Sequence, residues 1–369
     1  MSQSNHFDVI IIGGGIVGSS AALKLRQFGL SVCLLERNVC GSRSSGINYG
    51  GVRRQGRSLA QMPLTQRAHG IWGRLKDVIG IDGEYVRSGH LKLARSEADM
   101  ESLARYEQRT AEYGLGLQLL SAAQLRAHYP WIGERAVGGS LCPEDGHANP
   151  RLISPAFARA AIRAGAQILE NTPALGFHHD GQLFQVNIAS QNAPLESKYL
   201  LNCAGAWANT ICEIFGEKVP MTNSHPLMVV TDALPPFMNL SLGVEGGGVY
   251  ARQVSRGNCV LGGSQGYALD ANRARPGGDG IELVLKGALE LLPHLKHAQV
   301  VRTWSGVEGR LPDREPVISF SSKVPGLVHG FGFAGAGFQI GPAVGEVLAE
   351  MIAHGHTTTP IEAFSIQRF

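Results

Sequence analysis

The stretch between Phe7 and Arg37 restricts the fold more than any other part of the chain. Val9-Ile10-Ile11-Ile12 is a short apolar, β-branched run, the composition that a strand buried on both faces requires. It stops at Gly13-Gly14-Gly15. Apolar residues then recur at helical spacing through Val17, Ala21, Leu25 and Phe28, and Gly29 closes the helix. Ser31-Val32-Cys33-Leu34-Leu35-Glu36 reads as a second buried strand that ends in an acid. The order strand, glycine turn, helix, strand predicts a βαβ unit at the start of a parallel sheet. Within it, Gly13-x-Gly15-x-x-Gly18 has dinucleotide-binding spacing. Gly13 allows the tight turn, Gly15 lets the backbone approach a pyrophosphate, and Gly18 lets the helix pack on the strand. The bare pattern is weak. Here the strand before it, the helix after it and Glu36, 18 residues beyond Gly18, complete its context. The helix start at Ile16 and Val17 offers N–H groups and a positive dipole end to phosphates. Glu36, with Arg37 beside it, stands where a ribose hydroxyl is bound, and an acid there repels a 2′-phosphate.

Composition sets the outer bounds. At roughly 150 residues per domain, 369 residues suggest two domains. With 44% hydrophobic and 17% charged residues the chain reads as globular rather than disordered. Thirty-three basic against thirty acidic residues leave a charge of +3, too small to argue for nucleic acid or an anionic membrane surface as a partner. No apolar run approaches the roughly 20 residues of a membrane span. The first apolar run follows Asp8 with no basic segment before it, so no signal peptide is expected. Cys33, Cys40, Cys142, Cys203, Cys212 and Cys259 are scattered without CxxC spacing, which favours reduced thiols, a cytoplasmic location and no zinc site. The 48 glycines are the outlier, and they predict many tight turns and close backbone approaches.

Helical patterns fall at residues 64–78, 97–113, 120–129, 152–164, 282–292 and 343–353, and strand patterns at 167–169, 184–189, 199–203, 228–231, 248–252, 259–261 and 327–329. The Arg/Gly/Ser-rich residues 43–57 carry no period and read as a loop. Leu201-Asn202-Cys203-Ala204-Gly205-Ala206-Trp207 is a strand ending in a small-residue turn. Gly330-Phe331-Gly332-Phe333-Ala334-Gly335-Ala336-Gly337-Phe338-Gln339 leads into a helix at Pro342. A second glycine-rich helix start aims donors at something electron-rich. The N1–C2=O edge of a reduced flavin carries such charge, whereas nicotinamide becomes neutral on reduction, so FAD is favoured over NAD; an αβ turn without ligand is the alternative for this run. The fold class expected is α/β. A Rossmann-like FAD-binding domain is assembled from residues 1–82, 140–215 and 300–369, and an antiparallel-sheet substrate domain from 83–139 and 216–299.

The order and spacing of these segments resemble the glycine/D-amino-acid oxidase family of flavoproteins, which includes sarcosine oxidases and the flavin subunits of amine, opine and hydroxyproline dehydrogenases. The resemblance rests on the first glycine turn, Ser44-Ser45-Gly46-Ile47-Asn48-Tyr49-Gly50-Gly51-Val52-Arg53, Ala204-Gly205-Ala206-Trp207, Trp304-Ser305-Gly306, Leu311-Pro312-Asp313 and the run ending in Phe338. It implies that Ser44, Ser45, Asn48, Gly50, Gly51, Val52, Ala204, Gly205, Trp207 and Gly306 surround FAD, with Arg53 near the ring. Gly335, Ala336, Gly337 and Phe338 would give backbone donors to its pyrimidine edge. The reaction implied is removal of a hydride from the carbon beside an amine, its delivery to flavin N5, and hydrolysis of the imine. Two departures matter. Trp304-Ser305-Gly306-Val307-Glu308 lacks the cysteine that ties flavin to monomeric sarcosine oxidase, so FAD is expected to be non-covalent. Residues 250–263 lack the lysine that assists oxygen, with Val260 in its place, which favours a dehydrogenase passing electrons to another acceptor, a partner subunit included. A true oxidase, a 2-hydroxy-acid dehydrogenase and a flavin-holding subunit remain alternatives.

Arg53, Tyr250 and Gln339, the last standing where a relative has a carboxylate-binding lysine, are the expected catalytic residues. Arg54 and Arg57 cluster with Arg53 and suit a substrate carboxylate, or are solvated loop charges. Arg252 shares a strand face with Tyr250, as a substrate floor or a surface pair. Glu308 suits a cationic group on the substrate, or is an ordinary surface carboxylate. Asn149 reads as a helix cap, and His354 and His356 lack a third metal ligand.

Overall fold

The computed structural model describes residues 5–369 and contains two large sheets. The first has the order Val317–Phe320, Leu327–Phe331, Leu195–Asn202, His6–Ile12, Val32–Leu35, Gln167–Leu169; these pairs are parallel except at the Val317–Phe320 edge, and the strands Phe184–Ile188 and Ala174–His179 add an antiparallel hairpin to Leu195–Asn202. The first strand is central, and its alternation feeds two cores. Val9 and Ile11 pack with Val32 and Leu34 beneath the helices Ile16–Gln27, Met62–Trp72, Pro150–Arg163 and Gly337–His354. Ile10 and Ile12 pack on the opposite face with Phe184, Val186 and Ile188 of an antiparallel hairpin. A strand covered on both faces needs the continuous apolar run seen in the sequence.

Ile12, Leu35, Asn202 and His329 lie in register across four strands, so both glycine turns and the small-residue turn leave the sheet along one edge. That edge is where open parallel sheets bind ligands. Helices Ile16–Gln27 and Gly337–His354 pack closely because Gly341 and Gly345 leave no side chain between them; a Cβ at Gly341 would lie 2.6 Å from Ile16 Cγ2.

The second sheet has the order Val300–Ser305, Pro226–Ala233, Asn258–Gln265, Tyr250–Gln253, Ser241–Val244, His90–Ala94, Gly138–Cys142, Gln118–Ser121. Its pairs are antiparallel except Ser241–Val244 with His90–Ala94, which is parallel. Leu91, Leu93, Leu227, Leu242 and Leu261 face a core closed by the helix Gly278–Leu291. Residues of opposite parity face the first sheet.

Several elements differ from the sequence reading. The pattern at 64–78 forms two helices, Met62–Trp72 and Leu75–Ile79, interrupted at Gly73. The C-terminal helix starts at Gly337 rather than near 343, because packing against Ile16–Gln27 carries it through Pro342. The strand Ala174–His179 lacks a buried face and left no clear alternation. Val300–Ser305, grouped by sequence with the nucleotide-binding segments, pairs instead with Pro226–Ala233. Residues 43–57 include a short helix, Ser44–Ile47. A capping box forms between Ser121 and Gln124 at the start of the helix Ala122–His128, and the cap expected at Asn149 forms. Among the described residues no helix is long and apolar enough to cross a membrane.

One buried hydrogen-bonded contact ties the sheet's edge together. His329 Nε2 lies 2.9 Å from Glu217 Oε2, while the Ser322 amide donates to Glu217 Oε1 at 2.7 Å. Burial alone would raise the Glu217 pKa, but the hydrogen bonds from His329 and Ser322 outweigh it and hold the carboxyl at about 2. A depressed carboxyl contributes stability above its unfolded value of 4.5 and loses it as pH falls toward 2. Urea unfolding should therefore show wild type exceeding Glu217→Gln by about 3 kcal/mol at pH 6. The gap should narrow steadily below pH 4.5, and a gap independent of pH would show that this pair does not control acid stability.

Candidate active site

A cavity of about 1050 Å³ runs between the two sheets. At one end lie Gly13, Gly15, Ile16, Val17, Glu36, Arg37, Ser44, Ser45, Ala204, Gly205 and Trp207. Gly13 has φ +108°, and a Cβ there would overlap the Cys203 carbonyl. Gly18 sits behind the turn, where a Cβ would strike the Gly13 carbonyl; its role is packing, and it does not line the cavity. Gly15 differs from both. A Cβ there would meet only Ser45 Oγ at 3.0 Å, so its missing side chain opens toward the cavity. Ser45 Oγ accepts from Ile16 N at 3.0 Å at the first turn of a helix with no side-chain cap of its own. Glu36 accepts from the Gly14 and Asn38 amides, each at 2.8 Å, which orients its carboxylate and leaves lone pairs for a diol. Arg37 stacks 3.8 Å above the Trp207 ring, with its buried Nη2 lacking any protein partner. A hairpin of the second sheet's side of the molecule clasps this end, where Arg37 Nη1 donates to Asn272 Oδ1 at 2.8 Å and Trp207 Nε1 to Ala271 O at 3.0 Å.

Midway, the second glycine-rich run crosses the cavity. Gly332, Ala334 and Gly335 all have left-handed backbone (φ +79°, +46° and +85°), and this curls the run before helix Gly337–His354. Gly335, Ala336, Gly337 and Phe338 line the cavity opposite Asn48, Gly50 and Gly51, with Gly306 beside them. Two uncapped helix starts, an acid placed for a ribose and an open Gly15 fit an adenine dinucleotide that extends toward this run.

The far end is cationic. Arg53 Nη1 donates to Gln55 O in a short contact, and Arg57 reaches Gly335 O with both terminal nitrogens at 3.4 Å while its buried Nε has no partner. Neither guanidinium is in an ion pair among the described residues, whereas Lys92 is paired with Glu245. Burial, followed by repulsion from Arg53, pushes the Arg57 pKa down to about 9. His90 is buried, and burial together with Arg53, Lys92 and Arg57 holds its pKa well below the ordinary value. Gln55 Nε2 donates to Ser140 Oγ at 2.7 Å and Ser140 O at 3.1 Å, which leaves Gln55 Oε1 to accept from His90 Nδ1 at 2.9 Å. This network assigns the ring proton to Nδ1 and makes Nε2 an acceptor. Tyr250 lines the same chamber with its ring edge-on to Tyr49, and burial keeps its hydroxyl protonated by raising the pKa.

Residues 8–351 match the family described as FAD dependent oxidoreductase. The chain belongs to that family. FAD is therefore the cofactor of this chain. The chain is 26% identical over 382 residues to sarcosine dehydrogenase of Homo sapiens, covering 98% of this chain but 41% of that protein. It thus spans about two-fifths of the length of that relative. It is also 26% identical over 373 residues to sarcosine oxidase subunit beta of Rhizobium meliloti, covering 99% of this chain and 88% of that one. The crystal structure of glycine oxidase from Geobacillus kaustophilus superposes with a TM-score of 0.92 at 23% identity, covering 99% of this chain and all of that one.

Not every residue expected at the site of this flavoprotein reaches the cavity. Val52 is buried behind the loop, pairing with Gly146. Arg54 points away, with Nε 3.2 Å from Asp145 Oδ1. Arg252 does share a face with Tyr250, but Tyr49 intervenes and takes its Nε at 2.8 Å. Gln339 is buried between helices, its side-chain amide donating to Thr65 O at 3.1 Å while its backbone carbonyl accepts from Trp72 Nε1 at 2.8 Å. Glu308 lines the cavity, but it accepts from Gly335 N at 2.6 Å and faces Arg310. Sequence reasoning missed His90, Lys92, Gln55 and Asp145. Asp145 is the organiser of the loop, because its carboxylate accepts from the amides of Arg54 (2.9 Å) and Gln55 (3.0 Å) as well as from the Arg54 side chain.

Two outcomes follow from this geometry. Gly15→Val should fold, since its Cβ meets no backbone, yet purify nearly free of FAD; a 450 nm flavin band of full intensity in the purified variant would refute the cradle. Asp145→Ala strands the buried Arg54 and should lower unfolding free energy by about 3–5 kcal/mol, measured by urea titration. A loss under about 1 kcal/mol would show that the loop holds itself.

Proposed function

We propose that this chain oxidises the C–N bond of an amino acid or secondary amine with non-covalent FAD and hands the electrons to an acceptor other than oxygen. The observation that carries this reading is one continuous cavity, in which the FAD cradle opens onto two guanidinium groups without an ion-pair partner among the described residues, half-buried Arg53 and buried Arg57. The relatives' names, sarcosine dehydrogenase and sarcosine oxidase subunit beta, support the same chemistry. Bound FAD supplies the two-electron acceptor for a hydride leaving the carbon beside the nitrogen. Arg53 binds the substrate carboxylate and so fixes that carbon. His90 Nε2 can accept an N–H of the amine, the positive charges of Arg53 and Arg57 disfavour an ammonium and so favour the neutral amine, and the Tyr250 and Tyr49 rings exclude water until the imine is released to hydrolysis. Removal of water also strengthens each of these polar contacts.

Support for a non-oxygen acceptor is electrostatic. Residues 250–263 place Tyr250 and Gly263 at the cavity and no lysine, Lys92 is neutralised by Glu245, and the cations that remain, Arg53 and Arg57, are assigned in this reading to substrate rather than to oxygen. A partner subunit that receives electrons fits a relative named as a subunit. A cytoplasmic location fits six cysteines that are all free and buried.

Anaerobic titration of the purified holoenzyme with sarcosine, glycine, L- and D-proline and a panel of D- and L-amino acids should bleach the flavin for at least one amine. Admission of air should then restore colour slowly. Bleaching only by hydroxy acids would overturn C–N oxidation, and reoxidation at the turnover rate would make the protein an oxidase. Arg53→Ala should retain FAD while the reduction rate constant at low substrate falls about 100-fold, the scale of two charge-assisted hydrogen bonds. Unchanged reduction kinetics would remove Arg53 from the site.

A further inference from the structure

The charges of the chamber do not balance for a monocarboxylate. Arg53 and Arg57 both project into it, and no described carboxylate pairs with either. Arg57 is more than nine-tenths buried, its Nε has no partner, and its terminal nitrogens make only 3.4 Å contacts to one carbonyl. Arg53 Nη1 and Lys92 Nζ lie 3.0 and 3.4 Å from one and the same point, the position a Cβ on Gly56 would take. Lys92 and Glu245 cancel, and His90 stays neutral, so the chamber carries two uncompensated positive charges. A buried guanidinium without a counter-charge is costly, and such groups are retained where a ligand completes them. An amine oxidised by hydride loss enters that step uncharged, so a substrate with one carboxylate neutralises only one of the two arginines.

We propose that the natural substrate is an amino dicarboxylate, with one carboxylate on Arg53 and a second on Arg57. The proposal rests on the reading of the chamber as the substrate site. Glycine at position 56 then acquires a reason beyond its left-handed backbone (φ +76°), because any side chain would fill the space between the cations of Arg53 and Lys92. The second carboxylate lies toward Gly335, the side from which Arg57 enters. Its guanidinium can take a carboxylate through two parallel N–H groups, which a lysine in the same place cannot do.

The test separates binding from turnover. The oxidised holoenzyme is titrated with carboxylates that lack an amine, in pairs of equal chain length: butyrate with succinate and valerate with glutarate. The readout is the perturbation of the flavin spectrum, with calorimetry as a second measure. At least one dicarboxylate should bind ten to a hundred times more tightly than its monocarboxylate partner, the range of one charge-assisted contact. In Arg57→Met that ratio should fall toward one, and in Arg57→Lys it should take an intermediate value. Equal affinities within each pair in wild type would overturn the proposal. So would Arg57 variants that weaken both members of a pair equally, which would place Arg57 on the flavin rather than on the substrate. None of these results depends on an amine bleaching the flavin, so the dicarboxylate site and the C–N oxidation fail separately.

Discussion

The closeness of the Gly13–Gly18 turn to the end of strand Leu195–Asn202 is the constraint on which the structure depends. Any side chain at Gly13 would overlap the Cys203 carbonyl, and any side chain at Gly18 would overlap the Gly13 carbonyl. Backbone lying on backbone brings the start of helix Ile16–Gln27 level with the edge of the sheet. That edge also releases the strand Leu327–Phe331 into the second glycine-rich run, in register through Asn202 and His329. One line of strand ends thus supplies both helix starts. Each leaves its first amides to be satisfied by a ligand or a side chain. The helix Gly337–His354 can reach this position only because Gly341 and Gly345 let it lie on its neighbour. Glycine here replaces volume with proximity at four separate places.

The second sheet contributes charge rather than backbone. Alternation along His90–Ala94 sends Leu91 and Leu93 into the core and His90 and Lys92 into the cavity. The loop bearing Arg53 and Arg57 is then aimed by Asp145, whose carboxylate is taken up by two amides and by Arg54. Of the three clustered arginines, the one that finds a carboxylate is buried as structure, and the two that find none among the described residues face the cavity. The cost of leaving such charges unpaired is the ground on which they are proposed as ligand groups.

The parts of this arrangement written in contiguous residues are legible in the amino-acid sequence. The run Val9–Ile12, the glycine spacing, Glu36 and the run Gly330 to Phe338 carry local signals of strand, turn and helix start. Direction across the fold has no such local signal. Arg54 and Arg53 are adjacent and chemically alike, and only Asp145, far along the chain, separates their roles. Gln339 is expected at the site from its match to a relative's carboxylate-binding lysine, whereas helix packing begins the helix at Gly337 and turns the glutamine toward Thr65. Arg252 obeys its expected alternation and still misses the cavity, since Tyr49 of another segment fills the space above it. His90 and Lys92 have a readable signal in the period of two through His90-Leu91-Lys92-Leu93, with polar and apolar residues sorted to opposite faces. Nothing local reveals that this face meets the cavity.

The cradle for FAD and the cationic chamber serve, on this reading, a single reaction on the carbon beside an amine. The most direct measurement is anaerobic stopped-flow reduction of the holoenzyme by its best amine substrate, unlabelled and then deuterated at that carbon. Deuterium should slow flavin bleaching severalfold, because the C–H bond breaks as the flavin is reduced. Identical rates, at saturating and at low substrate alike, would contradict a shared reaction at that carbon.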